Sequence, residues 1–325
     1  MANPNISDIM ATTIESRTRA IADNVTKNNG LLSRLEKRGN IKTASGGSAI
    51  LQELSFAENS NGGWYSGYDL LPVGVSDVIT AAQYEWRQYA VPVVISGLEE
   101  LKNSGKERMI DLMEGRMNVA ESTMANDISG GLYSNGTAAG GKQIDGLDAA
   151  VAEDPTAAPY GDIDGNTALG AFWQNQISSD TAANTTAATI QGKMNLMWSS
   201  LVRGMDRPDL IMADNTMWNI YMESLQAQQR FNSPTTGDAG FASVKFMDSD
   251  VVLDGGIGGY CPTGTMFFLN TKYIHYRPHA KRNMVPLSPN KRYSVNQDAE
   301  AQILAWAGNL TTSGRQFQGR LWITP

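Results

Sequence analysis

The stretch "ELSFAENSNGGWYSGYDLLPVG", residues 53–74, decides the reading of this chain. Its middle is polar and broken by glycines, with aromatic residues beside them. Both flanks read as strand. On the left, Ile50, Leu54 and Phe56 share one parity; on the right, Ala82, Tyr84 and Trp86 alternate with Gln83, Glu85 and Arg87. That period of two belongs to a half-buried strand. Together the arms predict one long hairpin over residues 48–95. A two-stranded hairpin is marginal in water on its own, so this one requires something to lie on.

The 325 residues are enough for one large domain or two intimate ones. Charged residues make up 18% of the chain, below the usual share of about a quarter, and the formal net charge is −7. An acidic balance argues against a general nucleic-acid-binding surface. A low charge fraction without a hydrophobic excess fits a surface covered by something other than water. The charge is uneven. Residues 1–45 carry seven Lys and Arg against four acids, leaving nineteen cations and twenty-nine acids in the remainder. Arg34, Lys37 and Arg38 are the densest part of that basic segment, which is suited either to docking on an acidic neighbour or to a solvated helix of mixed charge. Cys261 is the single cysteine, so no disulfide can form within the chain. No run approaches the ~18 apolar residues of a membrane span. "MANPNISDIM" has no signal-peptide pattern, and the Asn-x-Thr sequences at Asn24, Asn135, Asn184 and Asn309 are therefore read as incidental.

Beyond the hairpin, Ser96 with Glu99 and Ser104 with Glu107 fit capping boxes. Ile110, Met113, Met117, Ala120, Met124 and Ile128 then form one helical stripe, predicting a helix over 105–129 that Gly130 and Gly131 stop. At the usual rise it is roughly 37 Å long and requires a sheet or partner along its length. Its methionines are read as core rather than as a binding face. A short apolar element at 144–151 follows, with Phe172 and Trp173 as anchors further on. A helix is expected at 189–203 with Ile190, Met194, Met197 and Leu201 inward. "RPDLIMAD" reads as a short buried strand, and Asp214 or Asn215 caps a helix carrying Trp218, Tyr221 and Leu225. The end of the chain is rich in strand patterns. Residues 1–45, with helical patches such as Ile9, Thr13 and Ser16, are too sparse in apolar residues for a core of their own.

No motif carries obvious chemistry. Gly255–Gly259 lacks the following helix of a phosphate loop and reads as a turn between strands. Asp162–Asn166 resembles half of a calcium loop, but Thr167 and Trp173 stand where Gly and Glu belong, so an Asx-rich turn is expected. His275 and His279 are the only histidines, with Pro278 between them and no cysteine cluster to complete a zinc site. Neither a catalytic residue, a metal nor a cofactor is assigned; the acids leave an acid-catalysed hydrolase with an all-β domain as a remote alternative.

The order of elements says more than any motif. It runs basic arm, long hairpin, long helix, glycine-rich loop, two helices around a short strand, then a β-rich end. With "ADNVTKNNGLLSRLEKRG", "SGGSAILQELSFAENSNGGWYSGYDLL", "ISGLEELKNSGKERMIDLMEGR", "GTAAGGKQIDGLD", "RPDLIMADNTMWNIYMESLQAQQRF" and "QDAEAQILAWAGNLTTSGRQFQG" in that sequence, the chain resembles the major capsid proteins of tailed bacteriophages. The resemblance implies the α+β Hong Kong 97-type fold. Residues 1–47 would be an N-terminal arm and 48–95 the extended loop. Residues 96–204 would be a peripheral domain with its spine helix, 205–290 mainly the axial domain, and 291–325 the return strands of the peripheral domain. It further implies a non-enzymatic structural role in the virion. Hexamers and pentamers would close an icosahedral shell around double-stranded DNA without sequence-specific binding and without a membrane. Partners would be a separate scaffolding protein, a portal and a decoration or cement protein, with assembly in the host bacterial cytoplasm. A cellular nanocompartment shell of the encapsulin type is the alternative. Trp64, Tyr65 and Tyr68 on the loop, with Arg34, Lys37 and Arg38 on the arm, are the expected contacts between subunits. Residues 43–101 hold no lysine, so a covalent isopeptide lock cannot start from this loop.

Overall fold

A computed structural model describes residues 30–96, 98, 106–226, 243–255, 259–287, 292–293 and 299–324. The helical patches at Ile9, Thr13 and Ser16 lie outside these residues, as do Glu99 and Ser104 of the two capping boxes and the centre of the Gly255–Gly259 turn.

Among the described residues four helices are longer than two turns: α1 (Gly30–Lys37), α2 (Lys106–Gly131), α3 (Ile190–Leu201) and α4 (Asn215–Gln226). The strands are β1 (Ile50–Ser55), β2 (Ile79–Tyr84), β3 (Arg87–Ser96), β4 (Gln176–Thr181), β5 (Leu210–Ala213), β6 (Ser243–Phe246) and β7 (Ser249–Leu253). After these come β8 (Thr265–Leu269), β9 (Ile274–Pro278), β10 (Val285–Pro286), β11 (Arg292–Tyr293), β12 (Ala299–Thr312) and β13 (Gly319–Thr324). Among the described residues these strands form three sheets. One is the β1–β2 hairpin. A second is organised on β12, with which β3, β9, β10 and β11 all pair. The third has the order β4-β13-β8-β5-β7-β6.

The third sheet explains the unbroken apolar runs "LIMA" and "MFFL". Its central strands are covered on both faces, so neither parity can be polar. Ile211, Ala213, Val251, Met266, Phe268 and Leu321 pack with Ile190, Met194, Met197 and Leu201 of α3 and Met217 and Tyr221 of α4. Leu210, Met212, Val252, Phe267 and Leu269 face the larger core on the other side. Helix α4 starts where expected: Asp214 is its cap, accepting from the backbone N–H of Thr216 (3.1 Å) and Met217 (3.0 Å).

The larger core joins α1, the hairpin base, α2 and the β12 sheet. On α2, Met117, Ala120, Met124 and Ile128 are buried, so the methionine stripe is core along its described length. The two glycines at its end lie inside the helix rather than beyond it. They are there for close approach: a Cβ on Gly130 would sit 3.1 Å from the Tyr260 ring, and one on Gly131 3.1 Å from Ile144 Cδ1.

The hairpin is shorter than its sequence pattern. β1 pairs with β2 from Ile50↔Tyr84 to Ser55↔Ile79, but β3 leaves and pairs instead with β12, from Arg87↔Gly308 to Ser96↔Ala299. The period of two runs through both β2 and β3 and cannot reveal the change of partner. The physical cause sits on the opposite arm. A longer hairpin would pair Arg87 with Gly47, but Gly46 and Gly47 have φ of +139° and +117°, which a strand cannot continue. The β12 edge offers ten pairing positions instead. Trp86 closes the gap, its indole Nε1 donating to Gly47 O at 2.9 Å.

Candidate functional site: an assembly surface

The hairpin has two halves with different fates. At its base, Ile50, Leu54, Ala82 and Tyr84 are buried in the main core. Tyr84 donates from its hydroxyl to Thr312 O (3.1 Å) and meets the Tyr160 ring edge-on at 5.3 Å. Phe56 packs on Phe172 at 5.6 Å between centroids, and the Gln83 N–H donates to Gly161 O (2.9 Å). Gly161 permits this approach, since a Cβ there would stand 3.0 Å from that of Ala82. The sheet's other face, with Leu51 and Ile79, is exposed.

Beyond Phe56 the chain has no regular structure until Ile79, yet it is tied to itself. Asn61 Nδ2 donates to Gly74 O (2.6 Å), and the Ser66 N–H to Asp69 Oδ2 (2.9 Å). On this tip Trp64, Tyr68, Leu70, Val73 and Val75 are each at least 95% exposed, and Tyr65 is 68% exposed. Burying such side chains is worth about 1.5–3 kcal/mol each, so together they are a large unused driving force. The tip is also of one sign: Glu58, Asp69 and Asp77 are exposed, and residues 43–86 contain no Lys or Arg.

The arm candidates fare differently. Leu31, Leu32 and Leu35 of α1 are fully buried, and a Cβ at Gly30 would touch Met212 and Val252 at 3.4 Å. The described part of the arm therefore covers one face of its own six-stranded sheet. Residues 40–44 then add to the edge of β9. Tyr276 N–H donates to Asn40 O (3.1 Å), Lys42 N–H to Tyr276 O (2.9 Å) and Ala44 N–H to Pro278 O (2.9 Å). Arg34 is consequently paired within its own subunit. Its Nε lies 3.2 Å from Asp209 Oδ2 and its Nη1 3.5 Å from Asp250 Oδ2. Arg38 also reaches Asp209, at 3.2 Å, while Lys37 is exposed. Charge counting along the sequence could not foresee this, because Asp209 and Asp250 are remote in the chain.

Four polar residues carry the body together; the sequence did not single out Asp145, Arg315 or Arg320, and it gave Asn309 only as an incidental sequon. Asp145, in the "GGKQIDGLD" stretch, takes Asn309 Nδ2 (2.7 Å) and Arg87 Nη2 (3.1 Å), and Asn309 Oδ1 accepts from the Asp145 N–H (3.0 Å). Asn309 is fully buried and its sequon is structural. Arg315 donates to Ala150 O (2.8 Å) and Ala149 O (3.2 Å), closing the turn Leu147–Ala150. Arg320 pairs with Asp148 and with Glu153 (2.7 Å) beneath the same loop. The only visible signal was a pair of arginines five positions apart near the chain's end, with no hint of their partners.

Two of the sequence motifs take the expected local form. Asp162–Asn166 is a turn, with the Asn166 N–H on Asp164 Oδ1 (2.9 Å). His275 lies on β9 and His279 just past it, on strand geometry rather than a helix. Among the described residues no three His, Cys, Asp or Glu side chains could hold one metal ion, and no helix is long and apolar enough to cross a membrane.

The comparisons agree with this architecture. No family model matches the chain, and no curated protein does. Solved structures match nearly its whole length. A chain of the cyanophage A-1(L) capsid asymmetric unit superposes with a TM-score of 0.63 at 16% identity, over 88% of this chain and 91% of the other. The capsid of the native GTA particle gives 0.61 at 11% identity, with 89% of each chain covered. The capsid of Myoviridae phage XM1 gives 0.52 at 13%, over 89% and 92%. The chain thus has the α+β, Hong Kong 97-type fold of phage capsid chains.

Proposed function

We propose that this chain is the major structural subunit of a tailed-phage head. Copies assemble as hexamers and pentamers into an icosahedral shell that encloses double-stranded DNA, with a scaffolding protein, a portal and a decoration protein as partners. The observation that carries the proposal is the hairpin tip: an ordered projection with a broad apolar surface that its own subunit leaves in water. Soluble chains rarely expose such a patch unless another chain covers it. In a closed shell the tip of each copy lies on its neighbour, and every copy is both donor and acceptor of the same contact. The capsid neighbours support this reading over a cellular nanocompartment shell. The low charge fraction fits faces buried between copies, and the acidic balance fits a wall that does not hold its DNA.

Co-expression with the scaffolding protein, followed by cryo-electron microscopy, tests the proposal. Closed particles tens of nanometres across are expected, dissolving to a single monomer band in boiling detergent because the loop has no lysine to cross-link. Chains that stay dispersed under every assembly condition would overturn it. A ladder of covalently joined subunits would overturn the non-covalent part.

A further inference from the structure

At the starting ends of β5 and β7, two tight turns stand side by side. In the first, Arg203 and Asp206 exchange both backbone hydrogen bonds (2.8 and 3.0 Å) around Gly204, at φ +61°, and Met205. In the second, Met247 and Asp248 join Phe246 to its β-partner Ser249. Arg207 Nη1 to Asp248 Oδ2, at 2.9 Å, ties the turns together. Each presents a methionine: Met205 is 97% exposed and Met247 is 51% exposed. Met247 sits at φ +50°, where turn chemistry alone selects Asn, Asp or Gly. An apolar side chain held in an unfavourable conformation at the surface points to use.

The surround is basic. Ion pairs connect this corner to Lys272 through Asp206 (2.8 Å), to Lys245 through Asp250 (4.0 Å), and to Arg34 and Arg38 of α1 through Asp209 (3.2 Å each). With Arg203 and Arg207, six cations stand against the four carboxylates Asp206, Asp209, Asp248 and Asp250, on a chain whose overall charge is −7. The framework is stiff. Asp206 also accepts from Tyr273 (2.7 Å), and Arg203 lies over the Phe317 ring at 4.4 Å.

We infer that this two-methionine corner is the seat on which the hairpin tip of a second copy docks. The inference rests on the shell reading above and names the receiving surface. The tip has no cation and three exposed carboxylates beside its aromatic and branched side chains; the corner has the opposite charge and apolar apexes. Thioether sulfur packs well against aromatic edges, and arginine stacks on aromatic faces, so Trp64 and Tyr68 find chemistry there that lysines alone would not offer. Phosphate is a poorer occupant, because carboxylates alternate with the cations and both apexes are apolar.

The test is a charge swap between two copies. Arg207→Glu with Lys245→Glu reverses the seat; Asp69→Lys with Asp77→Lys reverses the tip. Each pair alone is expected to raise the concentration needed for assembly about tenfold or more, since like charges then face one another. Thermal unfolding of the dispersed subunit should hardly move, because the Arg207 and Lys245 side chains are themselves at least half exposed. Combining all four changes should recover assembly to within about threefold of the parent, a coupling that independent effects cannot give. Deleting residues 57–77 separates the two layers of argument. If deletion abolishes assembly and the swap shows no coupling, the tip docks elsewhere and the seat is wrong. If deletion leaves assembly intact, the hairpin reading fails and the seat with it. If seat reversal leaves assembly unchanged but releases packaged DNA, the corner faces nucleic acid and the inference is overturned.

Discussion

Tyr84 and Tyr68 stand on the same hairpin, and their surroundings could hardly differ more. Tyr84, at the base, is buried, hydrogen-bonded to Thr312 and packed on Tyr160; Tyr68, at the tip, touches water on every side. The base obeys the rules of a folded monomer: alternating parity, a filled core face, satisfied polar atoms. The tip breaks them, with apolar side chains outward and order supplied by a few local hydrogen bonds. A segment that violates the rules of the isolated subunit while staying ordered is obeying the rules of a larger object. The two halves should therefore fail in different ways, and the sharpest break comes at the tip. Trp64→Ala with Tyr68→Ala should leave the thermal unfolding of the dispersed subunit within a degree or two of the parent. Shell formation should require protein concentrations higher by two orders of magnitude or more, because central aromatic anchors each contribute about 2 kcal/mol or more to an interface and the contact recurs in every copy. Light scattering against concentration measures this. A parallel fall in subunit stability would show the tip to be part of the monomer core after all.

The base should behave in reverse. Tyr84→Ala removes a buried ring and its hydroxyl, and about 3–5 kcal/mol of subunit stability with it. Tyr84→Phe keeps the ring but leaves Thr312 O without its donor, and about 1–2 kcal/mol is expected. Denaturant melts of the unassembled chain read both values. If Tyr84→Phe blocks assembly without lowering stability, the division between base and tip is wrong.

The sequence showed the parts whose logic is local. The alternation at Ala82 and Tyr84, the α2 stripe from Met117 to Ile128, the doubly buried "LIMA" and the Asp214 cap all follow from neighbours a few positions apart. The tip aromatics were conspicuous for the opposite reason: no local pattern accounts for them. What stayed hidden depends on contacts remote in the chain. Strand β3 changes partner without a change of period, because β12 lies some two hundred residues away. Arg34 and Arg38 looked like charges for a neighbour, yet they meet Asp209 and Asp250 of their own chain. Asp145, Asn309, Arg315 and Arg320 belong to the same class, since a buried polar group is recognised only once its partners are known.

A third contrast lies in the arm, between α1, held by three buried leucines, and residues 40–44, held mainly by backbone hydrogen bonds to β9. Under that edge sits His275, 6% exposed, its Nδ1 without a hydrogen-bond partner among the described residues. Burial, followed by the nearby charges of Lys42 and Arg277, lowers its pKa from 6.5 to about 4. The folded chain thus keeps the imidazole neutral in a range where the unfolded chain protonates it. Between pH 6.5 and about 4 the unfolded state binds the extra proton, so acidification draws the equilibrium toward unfolding. Above pH 6.5 the group contributes nothing to the slope. Full expression would be about 1.4 kcal/mol per pH unit, and partial solvent access reduces this to about 1. The expected result is a loss of stability on titration from pH 6.5 to pH 4.5 that His275→Gln makes shallower, while a control remote from this edge, such as Asp180→Asn, does not. Because Lys42 is carried by the 40–44 edge, the first structural response should be local: hydrogen exchange at the Lys42 and Ala44 amides should accelerate before that at Leu31 or Leu35. Uniform acceleration across α1 and the edge would mean that His275 reports global unfolding and that the two parts of the arm are one unit.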